Sequence, residues 1–134
     1  MNNMRMLAEE DENDDAAEVT WEDQQRINTF SKLNTRLRGI EDKLEELRQE
    51  KEALGDLSME LELMDDDQTI LYKIGESFLH LTQPRALKRL EKDQADISVQ
   101  LDSLSAVAEE CEKGMKELKI TLYAKFGRAI NLDE

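Results

Sequence analysis

The sequence predicts a mainly α protein: a long antiparallel two-helix coiled coil with a β-hairpin inserted between the helices. Three observations carry this. Apolar residues step by three and four through two long stretches, and a short segment between them is rich in β-branched and aromatic residues. Charged residues make up 37% of the chain against 4% aromatic, with a single proline. Ordinary domains carry about 25% charged residues, so these 134 residues suit a thin apolar stripe along helices better than a thick core.

Residues 1–19 read as a disordered acidic tail. Glu9, Glu10, Asp11, Glu12, Asp14, Asp15 and Glu18 face one basic residue, Arg5, and such a segment repels itself. A coiled-coil domain is expected over residues 20–127. Its first helix, about 20–65, starts at Thr20, whose hydroxyl is placed to accept the N–H of Asp23 while the Asp23 carboxylate reaches back, an Asp variant of the capping box. Glu22 and Asp23 also suit the positive end of the helix dipole.

Leu33, Leu37, Ile40, Leu44 and Leu47 then alternate steps of four and three, the rhythm of a coiled coil. Lys51 takes the next seam position, followed by Leu54. The rhythm shifts by one to Leu57, Leu61 and Met64, so a local adjustment is expected near Gly55. The run Asp65, Asp66, Asp67 is unfavourable at the negative end of a helix and should stop it.

The connection carries two strand-like runs, Thr69 to Ile74 and Ser77 to Leu81, with Gly75 between them. A β-hairpin is expected over about 69–81. A lone hairpin is marginal in water and leaves unpaired edges, and this one has apolar residues on both faces. It calls for strands from other chains, hence an obligate oligomer.

The second helix is expected over about 83–126, with Pro84 in the first turn, where its missing N–H costs nothing. Its seam is Leu87, Leu90, Gln94, Ile97, Leu101, Leu104, Ala108, Cys111, Met115, Leu118 and Leu122, about five heptads without a break. Gly127 is a natural stop, and residues 128–134 form a C-terminal tail. Two helices of roughly 40–45 residues, about 60–70 Å each, joined by a compact connection, favour an antiparallel pair.

Net charge is −14, from 32 acidic and 18 basic residues. That balance argues against nucleic acid and against an anionic membrane surface as partner. The sequence reads as having neither a transmembrane run nor a signal peptide. One cysteine, Cys111, has no internal partner for a disulfide, which points to a reducing compartment, and a cytoplasmic location is expected.

No enzyme is expected, and no cofactor. Asp65 to Asp67 lack the glycine and distal glutamate of a calcium loop. His80 has no cysteine or second histidine near it, so neither a zinc site nor a catalytic pair is credible. No glycine-rich phosphate loop is present. Cys111 sits in the seam, where a small apolar side chain packs.

Three blocks resemble beta-type prefoldin subunits. They are Val19-Thr20-Trp21-Glu22-Asp23-Gln24-Gln25-Arg26-Ile27-Asn28 with Phe30; Asp65-Asp66-Asp67 with Tyr72, Ile74-Gly75 and Phe78; and Leu122-Tyr123-Ala124-Lys125-Phe126-Gly127 with Ile130-Asn131-Leu132. The resemblance covers about residues 19–134; a longer acidic tail and Trp21 in place of a smaller aromatic depart from it. It implies a hexamer of two alpha-type and four beta-type subunits, so that this chain would join two alpha-type and three further beta-type partners. The hairpins would build an oligomeric β-barrel. Unfolded actin and tubulin would be held at the coiled-coil tips without ATP and passed to the cytosolic chaperonin.

In that arrangement Trp21, Ile27, Phe30, Tyr123, Phe126, Ile130 and Leu132 gather at the tip as candidate client contacts, each apolar group supplying about 1.5–3 kcal/mol when buried. Weak contacts from several arms give avidity. The bland alternative is that Ile27, Phe30 and Phe126 simply close the end of the coiled coil. Ile70, Leu71, Tyr72, Ile74, Gly75, Phe78, Leu79 and Leu81 are the candidate assembly residues. The rival reading is a structural coiled-coil tether or scaffold subunit without holdase activity. A zipper-type transcription factor would need a basic helix before the heptads, and this N-terminus is acidic.

Overall fold

A computed structural model describes residues 4–5 and 18–132. In chain order the elements are β1 (Met4–Arg5), α1 (Trp21–Glu62), β2 (Thr69–Ile74), β3 (Ser77–Thr82), α2 (Gln83–Phe126), a 3-10 turn (Gly127–Ala129) and β4 (Asn131–Leu132). Two long helices with a β-hairpin between them are the predicted fold. The chain divides into two compact units, Met1–Asp42 with Ala106–Glu134, and Lys43–Ser105.

In the first unit the start of α1 lies beside the end of α2. Ile27, Phe30, Met115, Leu122, Phe126, Ala129, Ile130 and Leu132 form one buried cluster, with Val19, Leu33, Leu37 and Leu118 packed against it. Gly114 of α2 permits close approach here, since a Cβ on it would lie 3.1 Å from Leu33 Cδ1. Most of the acidic tail, residues 6–17, lies outside the described residues. Met4–Arg5 pairs antiparallel with Asn131–Leu132, a short ladder of backbone groups that leaves no trace in side-chain pattern.

In the second unit the end of α1 lies beside the start of α2, and the hairpin packs on both. Leu61, Tyr72, Ala86 and Leu90 are buried together, and Leu54, Leu57, Met64, Ile70, Ile74, Leu81 and Leu87 pack around them. None of the apolar seam positions read from the heptads is exposed. α1 runs through Gly55 unbroken, so the shift of rhythm there does not interrupt the helix.

α1 stops at Glu62, three residues before the expected end. Its last turn has no basic residue to meet the dipole, and acidic side chains follow. The side chain of Gln68 takes over, accepting the Asp65 N–H at 3.0 Å. The link to α2 is tied by Gln83, whose N–H donates to the Gln68 carbonyl at 3.1 Å. Its buried side-chain amide donates to the Leu61 carbonyl at 3.0 Å, satisfying one of the helix-end acceptors.

Candidate functional site

Two regions hold the residues singled out from the sequence: the end where α1 begins and α2 finishes, and the β-hairpin. At the first, Thr20 and Asp23 form the expected reciprocal cap. Thr20 Oγ1 accepts the Asp23 N–H at 3.1 Å, and Asp23 Oδ2 accepts the Thr20 N–H at 3.1 Å. Asp23 is buried and does more than cap. Arg26 donates to its Oδ1 at 2.9 Å, and Lys125, 102 residues on, donates to Oδ2. The Lys125 hydrogen bond, opposed by burial and helped by Thr20, brings the carboxyl from 3.8 down to about 2. Lys125 Nζ also stands 5.3 Å from the centre of the Phe126 ring, within cation–π range.

Chain reversal after α2 follows from Gly127, at φ +56°, a conformation that L side chains rarely adopt. The chain then turns back over the helix end. Ile130 is extended (φ −123°, ψ 143°), and Tyr123 Oη accepts the Leu132 N–H at 3.3 Å.

This places the seven candidate tip residues in two groups. Ile27, Phe30, Phe126, Ile130 and Leu132 are buried in the cluster, where they close the end of the helix pair. Trp21, 72% exposed, and Tyr123 face solvent. Burial removes the first five from the accessible surface because the returning C-terminal segment covers the helix end. The interhelix pair Asp23–Lys125 has no local sequence signal.

The hairpin turns on Gly75-Glu76. Gly75 has φ +63° and, among the described residues, no non-glycine residue has positive φ, the φ pattern of a type II′ turn. The register pairs Ile70 with Leu81, Leu71 with His80, Tyr72 with Leu79, Lys73 with Phe78 and Ile74 with Ser77. Alternation then sorts the candidate assembly residues by face. Ile70, Tyr72, Ile74 and Leu81 point toward the helices and pack there. Tyr72 is buried and donates through its hydroxyl to Asp93 Oδ2 at 2.7 Å, and Arg89 Nε holds the other Asp93 oxygen at 3.1 Å. Burial first, and then Asp93, push the Tyr72 phenol well above its usual range.

Leu71, 56% exposed, and Phe78, 61% exposed, lie on the outer face, and Leu79 is exposed on the inner face. Among the described residues no third strand joins β2 and β3. The candidate assembly residues thus divide by their surroundings within the chain. The inner set fills the chain's own core, and Leu71, Phe78 and Leu79 remain at the surface.

Cys111 is buried in the seam, and His80 and Asp65 to Asp67 are exposed. Among the described residues no group of three or more His, Cys, Asp or Glu is placed to hold a metal ion. No described helix is long and apolar enough to cross a membrane.

Comparison with known proteins places this geometry. Residues 24–129 match the family described as "Prefoldin subunit". The chain is 41% identical to prefoldin subunit 4 of Saccharomyces cerevisiae over 116 residues, covering 87% of this chain and 90% of the relative. It is 33% identical to prefoldin subunit 4 of Homo sapiens over 131 residues, covering 97% and 94%. Among solved structures, the prefoldin beta subunit from Thermococcus strain KS-1 superposes with a TM-score of 0.71 at 15% identity, covering 82% of this chain and 96% of that one. At that identity the likeness is one of fold.

Proposed function

The chain belongs to the prefoldin family, and on that premise we propose that it is a beta-type subunit of a cytoplasmic hetero-hexameric holdase. It joins two alpha-type and three further beta-type subunits, and holds unfolded chains at its tip without ATP. Unfolded actin and tubulin are the clients this reading names, and the cytosolic chaperonin is the acceptor.

The observation that carries the assembly half is the outer face of the hairpin. Leu71 and Phe78 are more than half exposed on a two-stranded sheet. Two such side chains beside open backbone edges are unfavourable in water and favourable once neighbouring strands add to them. Trp21 and Tyr123 give the tip an apolar surface with polar ring edges, suited to loose contact with many sequences.

Native mass spectrometry after co-expression with alpha-type and beta-type partners tests the assembly. One copy of this chain in a hexamer is expected, and the paired change Leu71→Ser and Phe78→Ser should leave the chain helical but unassembled. A homodimer that ignores the partners, or normal incorporation of the paired variant, sinks this reading and favours a tether. For client holding, Trp21→Ser with Tyr123→Ser in the intact hexamer should weaken suppression of actin aggregation. Unchanged suppression would remove both residues from the client surface.

A further inference from the structure

The last described residues reach the tip as an extended segment with alternating burial. Ile130 and Leu132 are buried in the cluster with Ile27, Phe30, Leu122 and Phe126, while Asn131 between them is exposed. In extended chain, residues two apart point to the same side, so this helix end takes two side chains of a strand into its buried apolar cluster. Its backbone is also received: the Leu132 N–H reaches Tyr123 Oη, and the edge of β4 pairs with Met4–Arg5. The tip is thus built to accept a short extended apolar segment, which is the conformation an unfolded protein offers.

Resting on the client-holding reading, we propose that Ala129–Leu132 is a built-in occupant of the client site. It is a strap that an extended apolar segment of the client displaces, inserting its own side chains two apart against Ile27, Phe30 and Leu122. Three features suit it to displacement. It is four residues long, it follows a turn at Gly127 with positive φ, and one side-chain hydrogen bond, the 3.3 Å contact to Tyr123, holds its backbone from α2. A segment whose backbone is held by that contact and by a two-residue pairing with Met4–Arg5 opens locally without unfolding the rest. The strap packs in one buried cluster with Ile27, Phe30 and Phe126, three of the candidate tip residues, which its displacement would uncover. A strap closed nine-tenths of the time weakens client capture about tenfold, because apparent affinity scales with the open fraction.

The test compares the hexamer carrying the full chain with one carrying the chain ended at Arg128. Two probes are used: reduced, carboxymethylated α-lactalbumin as a permanently unfolded protein, and a labelled hexapeptide of residues 127–132. The shortened form should bind the unfolded protein about tenfold more tightly. It should also take up the hexapeptide, which the full form excludes, and reject a version with Ser at both apolar anchors. Helix content and hexamer mass check that the tip has not unfolded. Should the shortening prevent assembly, Tyr123→Phe, which removes only the hydroxyl, decides the matter with a gain of about twofold. Equal or weaker binding by an intact shortened form, or no gain from Tyr123→Phe, overturns the strap alone. No binding by either form overturns the client-holding reading, and the strap with it.

Discussion

Asp23→Asn keeps the size and one neutral acceptor of the side chain at position 23 but removes the charge that Lys125 and Arg26 share. The folded carboxyl titrates at about 2 against an ordinary 3.8, a difference of about 2.5 kcal/mol if every contact were shielded from water. It is not fully shielded. The Lys125 side chain is 34% exposed and that of Arg26 is 41% exposed, so solvent screens both, and about 1–2 kcal/mol is expected. Because the folded value is depressed, this contribution is whole above the unfolded value near 4. It fades as pH falls from about 4 to about 2. Urea denaturation followed by far-UV circular dichroism, on parent and variant from pH 7 to pH 2, reads it directly. The gap between the two stabilities should be about 1–2 kcal/mol at neutral pH and close to nothing at pH 2. Comparing the pair cancels the titration of the other carboxylates. A gap that stays constant down to pH 2, or no gap at pH 7, would refute the assignment of tip stability to the charge. Lys125→Met supplies a control, since it removes the leading cause of the shift and should reproduce most of the loss at pH 7.

Tyr72→Phe deletes the hydroxyl that Asp93 accepts but leaves Arg89 in place, so unfolding should become easier by about 1 kcal/mol, measurable as a lower urea midpoint. Gly75→Ala forces a side chain into positive φ with open space around it; the loss is purely conformational, about 1 kcal/mol, and should appear as faster amide exchange confined to β2 and β3. Gly39→Ala should stabilise by up to about 1 kcal/mol, because Gly39 lies inside α1 with nothing within 4 Å of an added Cβ; a lower melting temperature would contradict this.

Much of the helical architecture was legible because a coiled-coil seam repeats one physical demand many times. Leu33 through Leu47 on α1 and Leu87 through Leu122 on α2 keep the three-four spacing throughout, so one ambiguous residue does not shift the frame. The Thr20–Asp23 cap was equally legible, since both partners lie within one turn. Contacts that join distant segments were not. Asp23 with Lys125, Tyr72 with Asp93, and Gln83 with the Leu61 carbonyl each depend on register between elements, and no local pattern encodes that register. The early end of α1 belongs to the same class. Three further residues were compatible with helix, but the side chain of Gln68, beyond the acidic run, supplied a better partner for Asp65.

At the candidate sites, composition told which side chains gather and left open which way they face. β2 and β3 carry apolar residues on both faces, so alternation alone cannot choose an inner side. Ile70, Tyr72 and Ile74 turn inward because Leu61, Ala86 and Leu90 offer them a surface, and Tyr72 also finds Asp93. Leu71 and Phe78 are then left outside by geometry, although nothing in their identity separates them from the others. That is why a hairpin with two apolar faces is informative for a protein that assembles. One face can be satisfied within the chain, and the second has no use for apolar side chains unless another chain covers it. At the tip the same logic runs the other way. Ile130 and Leu132 alternate with Asn131 as a strand with one buried side would, and only the fold-back onto the helix end decides that this side meets the chain's own cluster.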